Sequence, residues 1–123
     1  MKMLVLGAGG TGGYFGGRLH QAGADVTFLV REKRAQQIAS QGLIIESVKD
    51  RVVLQVKTVH GAKGLEFDYV IVPDATRAAY PATDEARRRL HVAVTRASYQ
   101  LWLLAGGDPT PLVPFRQSAV AAD

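Results

Sequence analysis

Six residues near the start of the chain, Gly7-Ala8-Gly9-Gly10-Thr11-Gly12, have the types and spacing of a turn that holds a phosphate. In the pattern G-x-G-x-x-G the first glycine makes the tight turn and the second lets the backbone approach a pyrophosphate. The third lets a helix pack closely on a strand, and the free amides at the helix N-terminus receive the anion. Gly10 and Thr11 complete the set of candidate cofactor-binding residues. Arg31 is the next informative position, with Lys33 and Arg34 behind it. A site built for a plain ribose places Asp or Glu there, whereas a planar guanidinium suits a 2'-phosphate, so the residues point to an NADP-type cofactor. Two plainer readings stay open: glycines that serve packing alone, and first-turn cations that are merely solvated, with Glu32 among them.

The elements that must position these residues can be read from periodicity. Lys2 to Leu6 is a short apolar run entering the glycine cluster, as in a buried parallel strand. Phe15, Leu19 and Ala22 recur at helical spacing before a stop at Gly23. Asp25 to Val30 is a second strand, and Ala35, Ile38 and Ala39 give a second helix that stops at Gly42. Leu43 to Glu46 and Val52 to Val56 read as strands that either pair as a hairpin or lie apart. Tyr69 to Val72 is another strand. Thr83 or Asp84 caps a helix with apolar face Ala86, Leu90, Ala93, Val94 and Ala97, and Leu101 to Leu104 is a last strand. The order predicts a single α/β domain over residues 1–123: a doubly wound Rossmann-like or RecA-like sandwich on a mostly parallel sheet of five to six strands, with 114–123 as a tail.

A chain of 123 residues and 13.2 kDa fits one domain rather than a two-domain enzyme. It has no cysteine, so disulfides, thiolate nucleophiles and cysteine-based metal sites are excluded. The start lacks the apolar stretch of a signal peptide or membrane helix, so a soluble protein of cytoplasmic type with no membrane partner is expected. A net charge of +4, spread over both halves, is compatible with phosphate-type anions as ligands. His20, His60 and His91 are scattered and suggest no metal. Trp102 reads as core rather than as a base-stacking platform. In Arg87-Arg88-Arg89 a helix sends successive residues in different directions, so no single patch contains all three and a solvated face is favoured.

The stretch from Gly7 to Ser47, GAGGTGGYFGGRLHQAGADVTFLVREKRAQQIASQGLIIES, resembles the amino-terminal part of ketopantoate reductases, which are NADPH-dependent. The resemblance covers residues 1 to about 47. It implies that Gly7, Gly9 and Gly12 face the pyrophosphate and Arg31 the 2'-phosphate. That family continues into a helical second domain with a catalytic lysine and glutamate, which do not follow here.

A second pair of blocks, Thr58 to Asp68 (TVHGAKGLEFD) and Leu90 to Ala97 (LHVAVTRA), resembles superfamily 1 DNA helicases of the UvrD and Rep type, over residues 52 to 113. In those motors the first block, which here includes Lys63 and Gly64, lies between nucleic acid and nucleotide. The resemblance implies Thr58 and His60 near nucleic-acid phosphate, Glu66 near the nucleotide sugar, and Arg96 as a cation for the γ-phosphate. No Walker A loop is present, and Asp84-Glu85 fits helix capping better than magnesium binding.

Together these readings divide the domain into a reductase-like half, 1–47, and a helicase-like half, 48–113. They predict a chimeric α/β protein, joined within residues 47 to 58 by design or recombination. A natural protein matched continuously across residues 40 to 65 would overturn that junction. Both parent active sites are incomplete, so catalysis is not expected. The expected ligand is weakly bound NADP(H); a nucleic-acid-binding remnant and an NADPH-dependent oxidoreductase fragment are the alternatives.

Overall fold

The computed structural model describes residues 1–61 and 64–113. Lys63 and the 114–123 tail therefore lie outside the described residues. The elements are β1 (Lys2–Leu6), α1 (Gly10–Gln21), β2 (Asp25–Leu29), α2 (Glu32–Gln41), β3 (Leu43–Glu46), β4 (Arg51–Leu54), β5 (Lys57–Val59), β6 (Phe67–Val72), α3 (Asp84–Val94) and β7 (Ala97–Leu103). Five of the strands form one parallel sheet in the order β5-β2-β1-β6-β7. This is the doubly wound α/β arrangement expected from the alternation of elements.

Alternate residues of the central strand explain why helices cover both faces. Leu4 and Leu6 are buried with Val70, Val72 and, from α3, Leu90 and Ala93. Val5 points the other way, into a cluster with Val26, Phe28 and, from α2, Ile38. On that second face α1 comes so close to the sheet that a Cβ on Gly16 would stand 2.6 Å from Phe28. The helices stop at Gly23 and Gly42 as the sequence predicts, both with positive φ. Thr83 caps α3 by accepting a hydrogen bond from the Ala86 N–H at 3.2 Å, and Asp84 and Glu85 occupy its first turn.

Several elements differ from the sequence reading. β3 and β4 do pair, as an antiparallel hairpin closed by Ser47 and Asp50, but outside the main sheet. The run expected to be one strand through Val56 breaks after Leu54. The chain then starts β5, pairing Thr58 with Phe28 at the edge of the main sheet. Thr58 is thus a strand residue. Ala97 belongs to β7, because the helix ends at Val94 and the backbone of Arg96 accepts from the Phe67 N–H. Trp102 is not core: β7 is an edge strand, and Trp102 is half exposed with Leu101 and Tyr99 beside it. No helix among the described residues is long and apolar enough to cross a membrane.

Candidate functional site

The carboxyl-terminal edge of the parallel sheet gathers the glycine turn, two helix starts and a cavity. β1 ends at Leu6, and Gly7 turns the chain with φ +86°, its N–H donating to the Leu29 carbonyl at 2.8 Å. α1 follows with Gly9 as N-cap, which has no side chain to offer. The N–H groups of Gly10, Thr11 and Gly12 precede the first intrahelical bond, from Gly13 N–H to the Gly9 carbonyl, and so remain available as donors. A Cβ on Gly12 would lie 2.6 Å from the Gly7 carbonyl oxygen, whereas one on Gly9 or Gly10 would meet nothing within 4 Å. Gly12 is therefore required for packing, and Gly9 and Gly10 open onto free space. That division of labour fits a backbone cradle for an anion.

Arg34 ties this turn to the second helix. Its guanidinium donates to the Ala8 carbonyl at 2.9 Å and to the Gln37 amide oxygen at 2.9 Å. Arg31, the N-cap of α2, is exposed and stands at the same edge. Beside them lies a cavity of about 540 Å³, within the size range of small-molecule sites. Its floor includes Leu6, Leu29 and Val92, and its wall carries Arg31, Arg34, Arg88, Arg89 and His60. Among the described residues no carboxylate lines it. A smaller cleft of about 160 Å³ is lined by Gly7, Gly9, Gly10 and Gly12 and by Asp74 and Tyr80. Burial holds the Tyr80 hydroxyl above its ordinary pKa; Arg89 works against that rise and Asp74 adds to it. The phenol is thus a neutral hydrogen-bond donor at physiological pH.

The structure brings some predicted residues together and separates others. Gly7 to Gly12, Arg31 and His60 share one edge, with His60 arriving from the end of β5. Glu66 and Arg96 lie at the opposite, amino-terminal edge, just before β6 and β7. Gly64, with φ +81°, belongs to the connection returning to that far edge. The helicase-type residues therefore do not gather into one site here. Arg34, Arg88 and Arg89, which the sequence alone does not single out as site residues, line the cavity. Arg87 does turn aside, pairing with Asp84 at 3.2 Å, but Arg88 and Arg89 line the cavity. Helical spacing could have paired Arg88 with Val92, one turn on, but not have shown what that stripe faces.

Comparison with known proteins follows the same geometry. The family model "Ketopantoate reductase PanE/ApbA" matches residues 3–96. An uncharacterized oxidoreductase, YkpB of Bacillus subtilis, is 43% identical over 91 residues, 74% of this chain and 30% of its own length. The crystal structure of 2-dehydropantoate 2-reductase from Geobacter metallireducens superposes with a TM-score of 0.67 at 26% identity, covering 87% of this chain and 34% of that one. The RecBCD enzyme subunit RecB of Chlamydia pneumoniae is 35% identical over 65 residues, 52% of this chain and 6% of its own length. The chain thus spans about a third of the reductases it matches. A 91-residue match within 123 residues cannot avoid residues 40 to 65. The reductase likeness is therefore not confined to residues 1–47, and it runs through the interval where the sequence reading put a junction.

Proposed function

Because this chain belongs to the ketopantoate reductase PanE/ApbA family, we propose that it is a dinucleotide-binding Rossmann unit that takes NADP(H) and by itself performs no reduction. The pyrophosphate lies against Gly7, Gly9 and Gly10 and takes the first-turn amides of Thr11 and Gly12; Arg31 grips the 2'-phosphate. The observation that carries this reading is the cationic cavity of about 540 Å³, free of carboxylates and adjoining an uncapped glycine turn. When bound, the cofactor supplies hydride chemistry, and the residues of this chain hold and orient it. Asp74 is the one carboxylate lining the two cavities just described, and no lysine lines either among the described residues. Turnover is not assigned to a chain that spans about a third of the reductases it matches.

The likeness to RecB supports a composite history, a reductase frame carrying a helicase-type segment in its second half. The reductase family model itself runs over residues 3–96. The same RecB likeness favours a second reading, nucleic-acid binding through Thr58 and His60, whose signature is a steep loss of affinity with salt.

A fluorescence titration with NADPH separates these readings, with NADH and Arg31→Ala as controls at two salt concentrations. Saturable binding that prefers NADPH and weakens about tenfold without Arg31, the scale of a lost charge-assisted hydrogen bond, is expected. Folded protein that binds neither dinucleotide but retains single-stranded DNA would overturn the first reading in favour of the second.

A further inference from the structure

The far wall of the large cavity comes from α3, an element that neither the glycine motif nor Arg31 accounts for. α3 buries Ala86, Leu90 and Ala93 against the sheet, which fixes its rotation. Arg88 and Val92 are one turn apart and Arg89 adjoins them, so all three share the shoulder of the helix that overlooks β1 and β2. Arg87 falls on the other shoulder, where it pairs with Asp84. Glu85 lies one turn nearer the helix start on the same stripe as Arg88 and Arg89, and it does not line the cavity.

These arginines carry charge into a largely apolar cavity. The Arg89 guanidinium lies over the Tyr80 ring, 5.5 Å from its centroid, with one nitrogen 3.5 Å from the Ala79 carbonyl. Neither Arg88 nor Arg89 forms an ion pair among the described residues. Arg31, at the end of β2, and Arg34, from α2 on the other face of the sheet, line the same cavity. Two arginine pairs around one cavity repel one another unless an anion lies between them. The apolar floor in turn calls for a flat, weakly polar group attached to that anion.

Resting on the proposed NADP(H) reading, we propose that Arg88 and Arg89 are specificity-determining residues, closing a two-sided clamp with Arg31 and Arg34 around the phosphorylated ribose of an adenine nucleotide. The adenine lies on the apolar floor beside Tyr80, and the ribose phosphate is held from both walls. The preferred ligand class is an adenosine carrying a second phosphate on its ribose, and the 5'-monophosphate alone should bind more weakly.

Calorimetric titration of the whole chain with adenosine 2',5'-bisphosphate, adenosine 5'-monophosphate and NADPH tests this, using Arg88→Ala, Arg89→Ala, Arg89→Lys and Arg87→Ala. All three positions are exposed, and circular dichroism verifies folding of each variant. The bisphosphate should bind more tightly than the monophosphate. Arg88→Ala and Arg89→Ala should each weaken the bisphosphate about tenfold, with Arg89→Lys between them and wild type and Arg87→Ala unchanged. Equal losses in Arg87→Ala and Arg88→Ala would reduce the effect to net charge and overturn the clamp. NADPH binding that needs Arg31 but ignores Arg88 and Arg89 would overturn the clamp and leave the dinucleotide reading standing. Bisphosphate binding that depends on Arg88 and Arg89 without any NADPH binding would do the reverse. Failure of all three ligands to bind folded protein would overturn both.

Discussion

The two edges of the parallel sheet handle charge in opposite ways. At the amino-terminal edge Lys57 pairs with Asp25, and the Asp68 carboxylate accepts from the Lys2 backbone N–H at 2.7 Å. At the carboxyl-terminal edge Arg31, Arg34, Arg88 and Arg89 line one cavity without a carboxylate. Parallel topology starts α1, α2 and α3 at this second edge, and each helix start already carries partial positive charge. Acidic residues are the stabilising complement there, and Glu32, Asp84 and Glu85 follow that rule, whereas α1 has none in its first turn. Adding four arginines beside an uncapped helix start works against stability and makes sense for an edge that receives an anion. The contrast separates residues that hold the fold from residues that await a ligand.

The largest effect expected from breaking this contrast comes at the glycine turn. Gly12→Ala drives a Cβ to 2.6 Å from the Gly7 carbonyl oxygen, a backbone atom that cannot swing away. It should cost about 3 kcal/mol, the upper end for overpacking, in urea denaturation. Gly9→Ala meets nothing within 4 Å and has φ −75°, so its stability should stay within about 0.5 kcal/mol of wild type while dinucleotide affinity falls. If Gly9→Ala bound NADPH as well as wild type, the open face of the turn would not be where the pyrophosphate lies.

Arg34→Ala comes next, because this side chain serves both roles. Removing its bonds to Ala8 and Gln37 should lower stability by about 1 kcal/mol, and its loss from the cavity wall should weaken NADPH binding as well. Arg96→Ala sharpens the comparison from the other side. Arg96 sits at the amino-terminal edge, its Nε buried without a partner, so its removal should leave NADPH affinity unchanged. A loss of binding in Arg96→Ala would show that the two edges communicate.

How much of this was legible in the sequence depends on the range of the interactions involved. The glycine turn, the caps at Thr83, Gly23 and Gly42, and the strand and helix order all follow from local rules, and the structure contains them. β5 was missed because three residues, Lys57–Val59, are too few for an alternating pattern and owe their strand geometry to pairing with β2. Trp102 was misjudged because alternation identifies a strand's faces but not whether a neighbour covers them. Arg88 and Arg89 read as a solvated face because their role depends on which wall α3 presents to the cavity, a fact of packing and not of spacing. The separation of Arg96 from His60 likewise follows from topology: parallel strands put one before β7 and the other after β5.

The smallest expected effect lies at the hairpin, away from both edges, and its pH dependence can be signed. Arg18 on α1 holds Asp50 at 2.7 Å, and the Ser47 hydroxyl donates to the same carboxylate at 2.6 Å. The bond from Arg18, then that from Ser47, lowers the Asp50 carboxyl below its usual range, and Asp50 in turn raises Arg18. A carboxyl whose folded pKa lies below its unfolded value stabilises the fold above the unfolded value, near 4. That contribution is lost as pH falls through the depressed folded pKa. Asp50→Asn should therefore melt slightly below wild type at pH 6 and converge with it as the pH falls through the depressed folded pKa of Asp50. The gap should shrink in high salt, because the pair is partly exposed. A gap that persisted unchanged at low pH would assign the loss to the Ser47–Asp50 turn geometry instead of to charge, and the hairpin would then be held to α1 by packing at Ile45 and Leu43 alone.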